Sequence, residues 1–379
     1  MSRMPGGDAA RLQALSRVDP LLPDEAYWLV GFLEAEAHFY IQPNNGGANW
    51  ICGVRLGIRD DDADVLLALW NRTALGRVRP VAARRTSRPQ ACWQIDSKIE
   101  TARMASLLTD CPPVGRRRHE VKEWVAAVNL LADRRLGCSD HVWREVAVRA
   151  EQIRGLRKFA QHPARAAFEM DDALFLAWLG GFFTGEGCLM LDERRPRLAV
   201  HLRADDRPLL EALRARLGIG AIYDHPAYRT SAPASNWIVS SRADAQRACE
   251  ILARAGLRGR KARQFAAWQV AVRACASVTD ADAFASARDE FVKASEYVPS
   301  AVMPYTSRAV SRAQDAYCHA LRTFAAETVG PLTCTAYSKA QRANPTWPSR
   351  STIALNFGSW PEALDAAGLR HRAHARSAA

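Results

Sequence analysis

Several features are missing from this chain of 379 residues, and each absence excludes a class of protein. The longest apolar run, Leu174–Phe183, is about half of the ~20 residues that a membrane-spanning helix requires. The segment Met1–Pro20 has no apolar core, so we expect no secretory signal. The nine cysteines include no Cys-x-x-Cys pair and the histidines form no cluster, which argues against a disulfide framework or a zinc site. We therefore expect a cytoplasmic protein with reduced thiols.

Positive charge is what the sequence has in excess. It contains 52 Lys and Arg against 40 Asp and Glu, for a net charge of +12, although its 48% hydrophobic content is ordinary for a globular protein. A basic surface favours a polyanionic partner, chiefly nucleic acid. The alternative is surplus arginine on the surface of an ordinary soluble protein. The length allows two or three domains.

Two short segments of the chain are nearly the same. Trp28 to Ala37 reads WLVGFLEAEA, and Trp178 to Gly187 reads WLGGFFTGEG. Each is an apolar helical segment with small residues four positions apart, at Gly31 and Ala35 in the first and at Gly181 and Gly185 in the second. Residues at this spacing share a helix face, so each segment offers a strip where another backbone can pack closely. If the strips pack together, the glutamates that end them meet.

The similarity extends beyond these two segments. Trp93 precedes Trp124 by 31 residues, and Trp237 precedes Trp268 by the same interval. Equivalent residues of the two halves are 150 positions apart at the motifs and 144 positions apart further along the chain. The first half therefore carries about six additional residues, which we place in the Pro43–Asn49 turn. The four tryptophans are predicted to be core residues. This order of landmarks predicts a duplicated α/β unit, over residues 24–133 and 170–276.

The pattern within each unit predicts helix, two strands, helix, two strands and helix, an α+β architecture. Polar and apolar residues alternate at period two from Val54 to Arg59 and from Val200 to Arg203, and Asp62–Trp70 and Arg207–Leu217 are amphipathic. A glycine, Gly76 or Gly218, is expected to end each of these helices. The remaining segments are predicted as an N-terminal extension (1–23), a basic helical linker (134–169), a helical connector (277–330) and a small helix-turn-helix-like module (331–379).

Glu36 and Glu186 would form a pair of carboxylates at two helix ends. Each faces the negative pole of its helix dipole, and two nearby carboxylates raise the pKa of at least one of them. A divalent cation between them would relieve both costs, since Mg²⁺ binds one or two carboxylates together with water and phosphate oxygens. Such a cation can activate water against a phosphodiester. The alternative is that the two glutamates are solvated helix ends.

The paired motifs resemble those of the LAGLIDADG homing endonucleases, in the single-chain form with two motifs. The resemblance covers both units, about two-thirds of the chain. It implies a saddle of antiparallel strands along the DNA major groove, with the motif helices as the interface between the halves. It also implies that Glu36 and Glu186 are catalytic and bind Mg²⁺, for which Mn²⁺ can substitute. Lys261 matches the basic residue that assists at the scissile phosphate, and Arg117 is its counterpart.

Two departures from the family pattern lie in the first half. The motif ends in Ala37 rather than glycine, and His38 follows. Arg117 stands where lysine is commoner, and arginine keeps the charge but does not exchange a proton. Both departures leave the metal ligands in place. They allow slow cutting of one DNA strand or loss of cutting, and we expect any such drift in the first half.

The saddle implied by the resemblance puts one face of each strand against DNA bases. The last segment resembles the short DNA-binding repeat appended to homing endonucleases, with Ile353, Phe357, Trp360, Leu364 and Leu369 as its core and Ser349, Arg350, Ser351 and Asn356 toward DNA. For each sheet residue, solvated surface charge is the alternative. The candidates for DNA contact are Arg55, Arg59, Arg77, Arg79, Arg84, Arg85, His201, Arg203, Tyr223, Arg229 and Arg350.

The resemblance therefore implies a site-specific, Mg²⁺-dependent double-strand DNA endonuclease. We expect a monomer at the nucleoid that binds a long, pseudo-palindromic or asymmetric target. A chain that starts at Met1 and ends in Arg-Ser-Ala-Ala is expected to be free-standing or intron-encoded rather than an intein. The alternative is a DNA-binding regulator or an intron maturase that keeps the fold without cutting. Retention of Glu36, Glu186 and Lys261 favours the enzyme.

Overall fold

The computed structural model of the chain describes residues 19–44, 49–83, 88–133, 139–159, 166–192, 195–227, 232–276, 280–298, 308–344, 347–357 and 359–372. They belong to two compact units, Met1–Pro304 and Tyr305–Ala379. Within the described ranges, no helix is long and apolar enough to cross a membrane. The cysteines in these ranges form no disulfides.

The first unit contains the same series of elements twice. The first series is α1 (Pro23–Glu36), β1 (Ala37–Asn44), β2 (Asn49–Arg59), α2 (Ala63–Thr73), β3 (Arg77–Val81), β4 (Gln90–Ile95), α3 (Lys98–Asp110) and α4 (Arg117–Ala132). The second is α6 (Asp172–Glu186), β5 (Gly187–Asp192), β6 (Arg195–Arg203), α7 (Arg207–Leu217), β7 (Ala221–His225), β8 (Ala234–Val239), α8 (Arg242–Ala255) and α9 (Gly259–Ala276). Helix α5 (Asp140–Leu156) lies between the series, and α10 (Ala281–Ser295) follows the second. The predicted αββαββα order is confirmed, with one more helix closing each repeat.

Each repeat forms a four-stranded antiparallel sheet, in the order β1-β2-β4-β3 and β5-β6-β8-β7. The registers agree residue by residue: Leu56 pairs with Ala37 and Trp93, and its counterpart Val200 pairs with Gly187 and Trp237. The β1–β2 hairpin is longer than the β5–β6 hairpin, as the offset change predicts. Residues 45–48 of that turn lie outside the described ranges.

The core lies between the helices and one face of each sheet. Trp93 donates its indole N–H to the carbonyl oxygen of Leu75 at 2.7 Å, and Trp237 donates to Ile219 at 3.0 Å. Trp124 and Trp268 are also fully buried. The predicted core role of all four tryptophans is therefore confirmed. Each sheet keeps one strong indole hydrogen bond inside the apolar layer, where an unpaired donor would be costly.

The ends of helices α2 and α7 differ at equivalent positions. Helix α7 is followed by Gly218 in the left-handed conformation, with φ of 67°, as predicted. The prediction that Gly76 ends α2 was wrong, because the helix ends at Thr73 and Ala74 takes the left-handed conformation with φ of 52°. A Cβ atom crowds the backbone in that region, so alanine is strained there and glycine is not.

Two opposite substitutions, Ala74→Gly and Gly218→Ala, test this strain. Ala74→Gly is expected to raise the free energy of unfolding by about 0.5–1 kcal/mol, since release of the left-handed strain exceeds the entropy added to the unfolded chain. Gly218→Ala is expected to lower it by about 1 kcal/mol, although an added Cβ has open space apart from Arg247 at 3.9 Å. Urea denaturation monitored by circular dichroism measures both. A lower midpoint for Ala74→Gly would contradict the assignment.

Helix α5 forms part of the predicted basic linker and packs on the first repeat. Ser139 caps its first turn, and Val146 and Ile153 are buried on one face. Beyond its end, Arg157 donates to Glu120 at 2.9 Å and to the carbonyl oxygen of Phe39. The linker is therefore tied to helix α4 and strand β1 before the chain enters the second repeat.

The second unit contains four α-helices among its described residues. They are α11 (Arg308–Glu327), α12 (Cys334–Ala343), α13 (Arg350–Phe357) and α14 (Trp360–Ala366). Ile353 and Leu364 are fully buried, and Phe357, Trp360 and Leu369 pack against them, which confirms the predicted core. Helix α11, which the sequence analysis placed in the connector, supplies Leu321 and Phe324 to the same core. The domain bounds drawn from the sequence stay predictions.

Candidate functional site

The two motif helices, α1 and α6, touch through their glycines. A Cβ atom on Gly181 would lie 2.8 Å from the amide nitrogen of Phe32 and closer still to the carbonyl oxygen of Trp28. A Cβ atom on Gly31 would meet Phe182 and Trp178 in the same way. The neighbouring atoms are backbone, which cannot rotate away, so only glycine allows this helix spacing. The predicted close packing of the two strips is confirmed.

The packing brings the motif carboxylates to the same end of the helix pair. A Cβ atom on Gly185 would lie 2.9 Å from Cγ of Glu36, so the missing side chain makes room for the opposite glutamate. Burial raises the pKa of Glu36. Burial and the charge of Glu36 together raise the pKa of Glu186 to about 7. The two carboxylates are thus partly desolvated and repel each other, as the sequence predicts for a paired site.

A basic residue from helix α4 or α9 contacts the backbone at the end of each motif. The ammonium group of Lys261 donates to the carbonyl oxygen of Gly187. The guanidinium of Arg117 donates to the carbonyl oxygen of Ala37 and, at 3.3 Å, to that of Ala35. The contacts are equivalent in the two repeats. Lys261 is only 8% exposed, and burial, with the nearby charge of Arg260, lowers its pKa to about 8.

The charges of the site couple across the repeats. Arg117 acts through its charge on both Glu36 and Glu186, and Lys261 acts on Glu36. Each motif carboxylate therefore has a cation of the other repeat nearby, and Glu36 also has Arg117 of its own repeat. Glu186 and Lys261 belong to the same repeat in the sequence, but in the structure the Lys261 charge acts on Glu36 of the other repeat.

Glu34 is a buried residue of the site that the sequence analysis missed. Its carboxylate accepts hydrogen bonds from the amide of Val114 at 2.9 Å, from the amide of Gly115 and from the indole of Trp178 at 3.1 Å. Burial raises its pKa, against these hydrogen bonds. Glu34 thereby fixes the loop that leads to Arg117. Its counterpart is Thr184, so the internal repeat carries no signal for the role of a carboxylate here.

Asp62 and Asp206 were also missed as site residues. They occupy equivalent positions in the short 3₁₀ turns that follow strands β2 and β6. Asp62 accepts from the amide of Arg260 and, at 3.3 Å, from its Nε. Asp206 accepts from the amide and Nε of Arg116, both at 3.3 Å. The available signal in the sequence was the pair of adjacent aspartates that recurs at 61–62 and 205–206.

The donor set of the site suits a hard divalent cation. Two carboxylates supply oxygen ligands, and Mg²⁺ completes its shell with waters and phosphate oxygens rather than with a full protein cage. Within the described ranges, no three His, Cys, Asp or Glu side chains form a larger metal-binding group. The residues present therefore fit a metal that is shared with a phosphate ligand and do not fit a structural zinc.

The open face of the first sheet carries polar and basic side chains. The register aligns His38, Arg55, Gln94 and Arg77 in one row across the four strands. Arg79 lies one row away on the same face, and Arg55 is exposed. Leu56 and Trp93 lie on the opposite, buried face. The alternation predicted from the sequence therefore separates the core from a basic surface.

Several of the predicted contact residues are paired within the protein. Arg59 donates to Asp61 at 2.8 Å, and the equivalent Arg203 donates to Asp205 at 2.5 Å. The guanidinium carbon of Arg59 also lies 5.4 Å from the ring centroid of Tyr297. These aspartates hold both guanidinium groups at the ends of their strands. Arg77 is paired with Asp96 at 2.9 Å, and Arg79 contacts Gln94 at 3.4 Å.

The open face of the second sheet is less basic. His201 and Tyr223 both pair in register with Asn236, and both are exposed. Asn236 makes hydrogen bonds to the rings of His201 and His225, the latter at 2.9 Å. In the second unit, Arg350 is exposed at the first residue of helix α13. The predicted contacts Arg84, Arg85 and Arg229 lie outside the described ranges.

Comparison with solved structures finds the same fold in LAGLIDADG homing endonucleases. I-SmaMI bound to an uncleaved DNA target in the presence of calcium ions matches with a TM-score of 0.56 and 15% sequence identity, over 73% of this chain and 100% of that chain. The LAGLIDADG meganuclease I-AabMI bound to uncleaved DNA matches with a TM-score of 0.56 and 14% identity, over 72% and 98%. I-GzeII in complex with its DNA target matches with a TM-score of 0.55 and 15% identity, over 74% and 99%. No protein-family model and no curated protein sequence matches the chain.

The predicted fold class is thus confirmed. The chain has the α+β fold of these nucleases, with two four-stranded antiparallel sheets and a helical C-terminal region. Sequence identities of 14–15% carry the fold and no more. The activity of this chain must therefore be inferred from its own residues.

Proposed function

We propose that this protein is a site-specific double-strand DNA endonuclease of the homing endonuclease type, dependent on a divalent metal. One observation carries the proposal: Glu36 and Glu186 end two helices in glycine-mediated contact, and a cation from the opposite repeat lies near each of them. A protein that only binds DNA has no need of two partly buried carboxylates that repel each other. A nuclease needs such a pair to hold metal at the scissile phosphates.

The chemistry divides among the residues of the site. Mg²⁺, or Mn²⁺ in its place, would be held by Glu36 and Glu186 and would polarise the phosphodiester and lower the pKa of attacking water. Lys261, whose pKa of about 8 leaves part of it neutral near physiological pH, can hold or release a proton at Nζ. Arg117 keeps its charge and can stabilise the negative charge that develops on the phosphate. The two DNA strands therefore meet different cations.

The duplicated sheets support recognition of a long target. Two similar open faces in one chain fit a pseudo-palindromic site bound by a monomer, since the second repeat takes the place of a partner subunit. The faces differ in chemistry, however. Arg55, Arg77 and Arg79 suit bidentate contact with guanine, whereas His201 and Tyr223 do not. We therefore propose a target whose two half-sites differ, with Arg350 in the second unit as an additional DNA contact.

A cleavage assay tests this proposal. The full chain is incubated with a randomised-site plasmid library and Mg²⁺, and the cut ends are sequenced. Glu36→Gln and Glu186→Gln are expected to slow cutting by at least about a hundredfold while DNA binding is kept, because the carboxylate oxygens that hold the metal lose their charge.

Two outcomes would overturn different parts of the proposal. Wild-type protein that binds DNA but never cuts, even with Mn²⁺, would show a non-cleaving regulator or maturase instead. Single glutamine variants that cut as fast as the wild type would leave a nuclease whose metal site lies elsewhere. Asp64→Asn is the matched control, since it removes one exposed carboxylate from helix α2.

A further inference from the structure

We propose that Asp62 and Asp206 are positioning residues, each of which anchors the basic helix of the opposite repeat and so places the active-site cation of that helix. Asp62 of the first repeat would position Lys261 of the second, and Asp206 of the second would position Arg117 of the first. The inference rests on the proposed nuclease function. It assigns to the two 3₁₀ turns a role in coupling the repeats.

The contact of Asp62 with helix α9 is built from both backbone and side chain. Its carboxylate accepts from the amide of Arg260, the second residue of the helix, and from the guanidinium Nε at 3.3 Å. Gly259 precedes with φ of 60°, and a Cβ atom there would lie 2.7 Å from Oδ1 of Asp62. The helix begins at this glycine, and the absence of a side chain there allows the Asp62 carboxylate to approach the first turn.

The position of the contact links it to the site. Arg260 is followed directly by Lys261, whose Nζ contacts the carbonyl oxygen of Gly187. A carboxylate at a helix N-terminus interacts favourably with the helix dipole, so Asp62 fixes the first turn of α9. Asp62 also acts on Lys261 through its charge, as Glu36 does. Loss of Asp62 would release the turn that holds Lys261 in place.

The same device occurs in the other direction. Asp206 accepts from the amide and Nε of Arg116, and Arg117 follows and contacts the carbonyl oxygen of Ala37. The Asp62 and Asp206 side chains are exposed to the same extent, at 16% and 17%. Elsewhere the repeats have diverged, as at Glu34 and Thr184. A reciprocal pair of contacts kept across such divergence is expected if each repeat must set the cation of the other.

The test measures the cutting of each DNA strand separately. Lys261→Met first identifies the strand that depends on Lys261. Asp62→Ala is expected to slow that strand on the order of 10–100-fold and to leave the other strand within about threefold, because misplacing a catalytic group costs that much without removing it. Asp206→Ala is expected to slow the opposite strand. Asp62→Asn, which keeps an acceptor for the Arg260 amide, is expected to restore part of the rate.

Two results would overturn the proposal. Equal slowing of both strands by Asp62→Ala would indicate a structural role alone. Further slowing by Asp62→Ala on top of Lys261→Met would show that the two residues act independently. Asp64→Ala, which removes an exposed carboxylate two positions away, serves as the control and is expected to change neither strand.

Hydrogen exchange separates failure of this inference from failure of the nuclease function. In the free protein, Asp62→Ala is expected to speed amide exchange in residues 258–263 at least severalfold, and Asp206→Ala to do so in residues 114–119. The measurement needs no DNA and no cutting. If the wild-type protein does not cut DNA but the two variants show faster exchange, the nuclease function is refuted and the anchoring contact is kept. Unchanged exchange in both variants would refute the anchoring contact itself.

Discussion

Gly181→Ala is expected to destabilise the first unit by at least about 3 kcal/mol, a large part of the 5–15 kcal/mol that folds a domain. The added methyl group would lie 2.8 Å from the amide nitrogen of Phe32 and nearer to the carbonyl oxygen of Trp28. Both atoms belong to helix α1, so the whole helix must move to make room. That movement separates the motif helices, opens the core and parts Glu36 from Glu186. The midpoint of urea unfolding, measured by circular dichroism, and the rate of DNA cutting are both expected to fall.

The chain offers a matched control for this substitution. Gly155 lies in helix α5, and a Cβ atom there would meet nothing within 4 Å. Gly155→Ala is therefore expected to raise stability by about 0.5–1 kcal/mol, through helix propensity alone. A Gly181→Ala variant with the midpoint of the wild type would show that the motif helices do not pack at this distance.

The internal repeat explains how much of the fold could be predicted from the sequence. A single apolar segment that ends in a glutamate is compatible with many structures, but two copies with small residues at the same spacing predict a packed helix pair. The strands followed from alternation, because one face of each sheet is buried and the other is not. Trp93 and Trp237 fixed the offset between the repeats, and the structure places both in equivalent hydrogen bonds.

Contacts between distant residues could not be predicted in the same way. Glu34 binds a loop 80 residues away, and its counterpart is a threonine, so the repeat masks its role. Asp62 and Asp206 stand out in the sequence, but nothing local shows that each reaches the other repeat. For Arg59, the position could be predicted but the partner could not. Its position on the open face was predictable, whereas its pairing with Asp61 depends on the geometry of the strand end.

Glu186→Gln is expected to make the protein more stable and unable to cut, two effects with one cause. Burial and the charge of Glu36 raise the pKa of Glu186 from 4.5 to about 7 in the folded protein. At pH 8 the carboxylate is ionised in both states, and holding that charge in the folded site costs on the order of 3 kcal/mol. Glutamine has a similar shape and no charge, so it removes the cost together with the metal ligand.

The pH dependence gives the sign of this effect. Between pH 4.5 and about 7 the folded protein binds a proton at Glu186 that the unfolded chain has lost, so the contribution of this residue to stability falls as pH rises through that window. In EDTA, the wild type and Glu186→Gln are therefore expected to have nearly equal free energies of unfolding at pH 4. At pH 8 the wild type is expected to be less stable than the variant. Equal stabilities at both values would contradict the raised pKa.

Metal addition connects this stability difference to function. A cation held by Glu36 and Glu186 binds the folded state alone and opposes their repulsion, so Mg²⁺ at pH 8 is expected to raise the melting temperature of the wild type. The same addition should leave Glu186→Gln nearly unchanged. The buried charges destabilise the metal-free protein, and metal binding would then explain why the pair is present. If Mg²⁺ stabilised the variant as much as the wild type, the cation would bind elsewhere, and the cost of the buried charge would have no explanation in catalysis.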